Sequence, residues 1–158
     1  MIDNQEDIAF MRRAIELSKL AVLHGNEPFG AVLVKDHKIV MEGENKIYTN
    51  HDYSAHAELS LLKEYSSKTG LTDLTGYTLY SSCEPCFMCS GSLVWFKLSR
   101  LVYGASDIDL ASILNCKGSE CSSIVFENSK TDIEVTSGVL KEESIEVLRS
   151  YFSNNKKN

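Results

Sequence analysis

The order of helical and strand-like apolar patterns is the feature that most constrains how this chain folds. Apolar residues recur at helical spacing from Asp7 to Leu23, and two β-branched runs, AVLVKD and HKIVMEG, then predict an antiparallel hairpin. Strand patterns at 76–82, 100–106 and 132–138 alternate with helical patterns at 54–68, 84–97 and 141–152. This order predicts an α/β fold with three α-β-α layers and a central mixed sheet of about five strands. The segment 107–129 has no clear pattern.

The 158 residues fit one domain, 1–158, in which we expect 153–158 to form a flexible tail. The start has no basic region followed by an apolar run, and no apolar segment approaches the ~20 residues that cross a bilayer. We therefore expect a cytoplasmic protein without a membrane partner, whose five cysteines are thiols or metal ligands rather than disulfides. The net charge of −6 argues against broad electrostatic attraction to nucleic acid.

Three of those cysteines lie within seven residues, in SSCEPCFMC. Pro85 suits the first turn of a helix, and there Cys86 and Cys89 can reach one ion together. Zinc in a catalytic site commonly takes three protein ligands, and the third is either Cys83 or His56, in SAHAE. We expect Ser54 to be an N-cap, which would bring His56 and Glu58 together over the first turn of the second long helix. A structural zinc site that also uses Cys83 is the alternative.

The pairing of HAE with PCFMC resembles the signature of the zinc deaminases, and the chain is similar to the cytidine deaminase-like superfamily from EPFGAVLV through EGEN, HAEL and SSCEPCFMCSG to TSGVLKEE. It looks closest to bacterial guanine deaminases and tRNA adenosine deaminases. The resemblance implies that His56, Cys86 and Cys89 hold one Zn²⁺ per chain and that Glu58 is the catalytic proton shuttle. It also implies a homodimer in which the partner closes part of the site.

The substrate is less sharply indicated. The resemblance makes Phe29 a pocket wall and Asn45 a polar anchor, and we expect the backbone amide near Ala57 and a stacking surface on Trp95 to complete the contacts. PFGAV, SCEPC and the tryptophan look like guanine deaminases, whereas HDYSAHAE and the C-terminal segment look like the tRNA enzymes. The acid with which guanine enzymes contact the 2-amino group has no clear match, and Asp109 and Glu120 are the candidates.

We predict hydrolytic deamination of a nucleobase or nucleoside, with a free purine of the guanine type as the substrate. The alternatives are a tRNA-specific adenosine deaminase, a cytosine-type deaminase and a non-enzymatic binding module in which zinc only stabilises the fold.

Overall fold

A computed structural model describes residues 4–154 of the chain. Its helices are α1 (Gln5–Leu23), α2 (Ile47–Asn50), α3 (Ala57–Thr69), α4 (Phe87–Trp95), α5 (Asp107–Leu114), α6 (Cys121–Glu127) and α7 (Lys141–Asn154). Its strands are β1 (Gly30–Lys35), β2 (Lys38–Glu44), β3 (Thr78–Cys83), β4 (Arg100–Ala105) and β5 (Glu134–Thr136). In this part of the chain no helix combines the length and the apolar character that a membrane crossing needs.

The five strands form one mixed sheet in the order β2-β1-β3-β4-β5. β1 runs antiparallel to both of its neighbours, β2 and β3. β3, β4 and β5 run parallel to one another. The predicted hairpin, the mixed sheet and the α/β class are therefore confirmed.

Alternate residues of the central strands enter two different cores, as the two-residue period of a strand requires. One core joins the sheet to α3 and α4 and includes Ala31, Leu33, Leu61, Leu62, Leu79, Leu93 and Leu101. The other joins the opposite face to α1 and includes Met11, Ala14, Ile15, Leu17, Val32, Val34, Tyr80 and Val102. Because both faces are covered, β1, β3 and β4 are almost continuously buried.

α1 packs directly on the start of β1 at Gly30. A Cβ atom at this position would lie 2.3 Å from the carbonyl oxygen of Ala14 and 2.5 Å from the backbone nitrogen of Ser18. Both neighbours are main-chain atoms of a helix, so they cannot move aside as a flexible side chain would. The glycine therefore sets how closely α1 approaches the sheet.

A buried ion pair fixes the beginning of α1 to the sheet. Arg100 of β4 donates to both carboxylate oxygens of Asp7, over 2.9 and 2.7 Å, and the hydroxyl of Tyr80 donates to the same carboxylate over 2.6 Å. Burial raises the pKa of Asp7, but these hydrogen bonds outweigh it and hold the pKa below its ordinary value of 3.8. The carboxylate is thus charged and fully paired inside the protein.

The structure corrects several predicted boundaries. α3 begins at Ala57, because Ser54 does not cap it; the amide and hydroxyl of Ser54 both donate to Asp52 Oδ1, over 2.8 and 2.7 Å. α4 begins at Phe87, so Pro85 precedes the helix instead of lying in its first turn. α7 continues to Asn154, two residues into the predicted tail, and the rest of that tail lies outside the described residues.

Candidate active site

Two helix N-termini meet at the candidate metal centre. His56 is the N-cap residue of α3 and Cys86 is that of α4, and neither side chain makes a capping hydrogen bond to its own helix. Cys89 lies in the first turn of α4. His56 Nδ1 is 3.5 Å from Cys86 Sγ and 3.6 Å from Cys89 Sγ, and one ligand atom from each residue lies within 4.8 Å of the other two.

The electrostatics of this group suit a cation. A hydrogen bond from Cys89 and another from His56 lower the pKa of the Cys86 thiol to about 4, against the opposing effect of burial. The hydrogen bond to the Cys86 thiolate and burial raise the pKa of Cys89 above its ordinary value. One imidazole nitrogen and two sulfurs, with no fourth ligand in the group within residues 4–154, form a donor set that fits zinc with an open position.

Cys83 lies outside this group. It is buried at the end of β3, where it packs with Ala105, Ile145 and Leu148. Burial raises the pKa of this thiol well above its ordinary value, so it stays protonated and apolar in character. The structure therefore gives Cys83 a core position rather than a fourth ligand position.

Glu58, in the first turn of α3, is a buried carboxylate beside the sulfur atoms. Its side chain is 5% exposed. Burial, followed by the charge of Cys86, raises its pKa to about 7. A carboxyl group with this pKa can accept a proton and return it near neutral pH.

Asn45 offers an unused hydrogen-bond donor at 1% exposure. Its Oδ1 accepts the backbone N–H groups of Ile47 and Glu27, over 3.1 and 3.3 Å, which fixes the amide plane. Its Nδ2 is buried and has no partner in the described part of the chain. A buried polar group without a partner is costly, and a bound substrate is a natural source of the missing acceptor.

The three other residues predicted to contact the substrate differ from Asn45 in burial and position. Phe29 is half-buried, its carbonyl accepts the Asn45 N–H over 3.0 Å, and its ring packs against Phe152 of α7 with centroids 6.5 Å apart. Ala57 is fully buried as the first residue of α3, directly after His56. Trp95 is 85% exposed at the opposite end of α4 from Cys86, so the fold does not bring it to the site of its own chain.

Glu84 is a buried residue of this region that sequence reasoning missed. Its Oε1 accepts the Asp107 N–H over 3.0 Å, and its Oε2 accepts the backbone N–H and the hydroxyl of Ser122, over 3.0 and 2.5 Å. One carboxylate thus ties the residue before Pro85 to the starts of α5 and α6. Its place inside SCEPC was a visible signal, but its partners lie 23 and 38 residues away in sequence.

The two acids considered for substrate contact have other surroundings. Asp109 forms a capping box with Ser106 at the start of α5 and lies 3.6 Å from Lys141. Glu120 is exposed at the N-cap position of α6 and makes no capping hydrogen bond. The acid whose charge acts on His56, besides Glu58, is instead Glu27, which precedes the PFG motif.

The comparisons with known proteins agree with this architecture. Residues 4–105 match the family model of the cytidine and deoxycytidylate deaminase zinc-binding region. A tRNA-specific adenosine deaminase of Haemophilus influenzae is 38% identical over 154 residues, which cover 96% of this chain and 86% of the relative. The guanine deaminase of Bacillus subtilis is 40% identical over 103 residues, 65% of this chain and 66% of the relative. A solved structure in complex with 8-azaguanine aligns with a TM-score of 0.82 at 26% identity, covering 94% of this chain and 85% of that chain.

The chain therefore belongs to the cytidine and deoxycytidylate deaminase family of zinc-binding proteins. It is a hydrolytic deaminase of nucleobases or nucleosides, as its named relatives are deaminases over nearly the whole chain.

Proposed function

We propose that the protein is a zinc-dependent deaminase of a free purine base of the guanine type. The observation that carries the chemistry is the convergence of His56, Cys86 and Cys89 within 4.8 Å, beside the buried carboxylate of Glu58. These three residues would hold the ion, and zinc held in this way would supply a water nucleophile at neutral pH. A purely structural zinc site has no need of a buried, protonatable acid.

Glu58 moves the protons of the reaction. It accepts one proton from the attacking water and delivers it to the ring nitrogen next to the carbon that bears the amine. A second transfer protonates the amine, the C–N bond breaks, and ammonia leaves while a carbonyl forms in its place. The atoms balance as amine plus water giving carbonyl plus ammonia.

The base is held by short-range contacts. The orphaned Nδ2 of Asn45 donates to a ring or carbonyl acceptor, the Ala57 amide completes the edge, and Phe29 closes one wall. None of these contacts requires a phosphate group. The net charge of −6 also favours a small uncharged substrate over a polyanion.

A tRNA-specific adenosine deaminase is the second candidate. It is favoured by the similarity to tRNA adenosine deaminases, which extends over 96% to 98% of this chain, whereas the similarity to the guanine deaminase covers 65%. This candidate requires a phosphate-binding surface and hence a steep salt dependence.

Two assays separate the two candidates. One measures ammonia release from guanine, adenine, cytosine and their nucleosides, and the other measures inosine formation in an anticodon stem-loop. We expect guanine or a related aminopurine to be turned over at rates that change little between about 50 and about 200 mM salt. Glu58→Gln should keep its zinc and lose about 10²- to 10⁴-fold in kcat. Inosine formation in the stem-loop without turnover of any free base would contradict the purine assignment.

We also propose that the protein is a homodimer. Apolar side chains remain exposed on α4 and α6, which pack against each other: Phe87, Met88, Trp95 and Ile124. Exposed aromatic residues on neighbouring helices are typical of an interface. A second copy is the occupant that the family resemblance implies.

A further inference from the structure

Glu27 lies in the loop between α1 and β1, next to the Asn45 amide. Its N–H donates to Asn45 Oδ1 over 3.3 Å, and its carbonyl accepts the Phe29 N–H over 2.8 Å. The preceding residue, Asn26, is buried and accepts two N–H groups of α2, each over 3.0 Å. The main chain is thus held on both sides, and the fold sets the position from which the Glu27 side chain starts.

The Glu27 carboxylate is half-buried, and no hydrogen bond or ion pair holds it within residues 4–154. Burial raises its pKa, and the charge of His56 opposes that effect. The hydrogen bond from its backbone N–H to Asn45 Oδ1 places the residue beside the proposed substrate contact. Its charge is the main cause of the raised pKa of Tyr48, and it adds to the effect of burial on the pKa of Tyr151. A partly desolvated carboxylate without a donor is costly, so a substrate N–H at this position would be favourable.

The substrate classes differ in the donors that they offer. A free purine carries an N–H on its imidazole ring, at the position where a nucleoside carries the sugar. Adenosine and cytidine, alone or within RNA, have no ring N–H, and their exocyclic amine is the group that reacts. A carboxylate beside the imidazole ring is therefore satisfied directly by a free base, whereas an adenosine of tRNA places a sugar carbon on that nitrogen and offers a donor nearby only at its 2′-hydroxyl.

We propose that Glu27 is a specificity-determining residue that accepts a hydrogen bond from the imidazole-ring N–H of a free purine and thereby selects bases over nucleosides and RNA. The inference rests on the proposed function, since it concerns the same site. The carboxylate then has a second effect, because a negative charge beside the base repels the phosphates of a polynucleotide.

The test measures equilibrium binding of guanine and 9-methylguanine to zinc-loaded protein. A Glu58→Gln background slows turnover, and isothermal calorimetry gives both dissociation constants. With Glu27 present, we expect 9-methylguanine to bind about 10- to 100-fold more weakly than guanine, which corresponds to one hydrogen bond to a charged acceptor. Glu27→Gln, added to this background, keeps the shape of the side chain, so the steric effect of the methyl group stays. The ratio of the two dissociation constants should nevertheless fall several-fold, because the charged acceptor is gone.

Glu120→Gln in the same background is the matched control, because Glu120 is an exposed acid without a capping role. Its ratio should equal that of the parent. An unchanged ratio in Glu27→Gln, with both ligands bound, would overturn this inference and leave the proposed function standing. Loss of zinc in Glu27→Gln would also overturn it, because the carboxylate would then act by positioning His56. Binding of an anticodon stem-loop without binding of either base would refute the inference and the proposed function together.

Discussion

Replacing Glu84 with glutamine should loosen the starts of α5 and α6 from the segment that precedes α4. The carboxylate accepts three hydrogen bonds, one on Oε1 and two on Oε2. Glutamine has one acceptor oxygen, and its NH₂ group must face either the Asp107 N–H or the Ser122 N–H. In either orientation, a buried donor meets another donor.

The loss of folding free energy follows from this contact between two donors. Leaving one buried donor unsatisfied costs about 1–3 kcal/mol, and the remaining hydrogen bonds also lose the assistance of the charge. For a domain of this size, each kcal/mol lowers the melting temperature by about 2–4 °C. Ser122→Ala is the matched control, because it removes the hydroxyl and keeps both backbone donors paired, so its cost should be smaller, about 1 kcal/mol.

Hydrogen exchange locates the effect and urea unfolding measures its size. Relative to the native protein, we expect faster exchange in 107–127 and little change in the strands. The zinc content should be retained, and KM for the base should rise more than kcat falls. The reason is that α6 packs on α4, which has Cys86 as its N-cap residue and Cys89 in its first turn. A Glu84→Gln protein with native stability and native exchange in 107–127 would refute the reasoning.

Three further substitutions test other parts of the structure. Cys83→Ala should keep one zinc per chain by elemental analysis, since Cys83 lies outside the ligand group, and a stoichiometric loss of zinc would contradict that assignment. Asp7→Asn should lower the free energy of unfolding by about 1–3 kcal/mol, because Arg100 loses its closest charged partner but keeps Glu134 at 3.8 Å and remains partly exposed. Since folding lowers the pKa of Asp7, its contribution is present above the unfolded value and disappears as the pH falls through the folded value, so urea titrations should find the native protein and the variant converging at acid pH. Trp95→Ser should shift the proposed dimer towards monomer in light scattering, and an unchanged dimer would exclude Trp95 from the interface.

The sequence was sufficient for the elements that have a regular apolar period. α1 has such a pattern because it buries one face, and β1, β3 and β4 have continuous apolar runs because both of their faces are covered. The residues of the metal centre were predictable for a different reason. HAE and PCFMC together resemble the signature of the zinc deaminases, and the structure brings His56 next to Cys86 and Cys89.

The predicted start of α3 was wrong, because residue type alone does not decide which candidate residue caps a helix. Ser54 is a good capping residue by type, but Asp52 captures both its amide and its hydroxyl. His56 takes the N-cap position instead and leaves its imidazole free to face the sulfur atoms.

Other residues could not be placed from the sequence, because segments distant in the chain form their surroundings. An aromatic side chain such as Trp95 fits a pocket or an exposed helix end equally well until the fold is known. An acid in a loop such as Glu27 carries no signal of burial. One local signal was available, however, since Ser106 and Asp109 have the spacing of a capping box and mark the start of α5.

The contact of Gly30 with α1 has a consequence for protein engineering. Phe29 and Gly30 are adjacent in one short motif, yet a change at Phe29 alters the wall that we propose for the pocket, whereas any side chain at Gly30 displaces a whole helix. A library that randomises the motif as a unit would therefore lose most of its members to misfolding before substrate preference could be selected. Holding the glycine fixed while Phe29 and its contact Phe152 vary together would keep the scaffold intact and explore pocket shape alone.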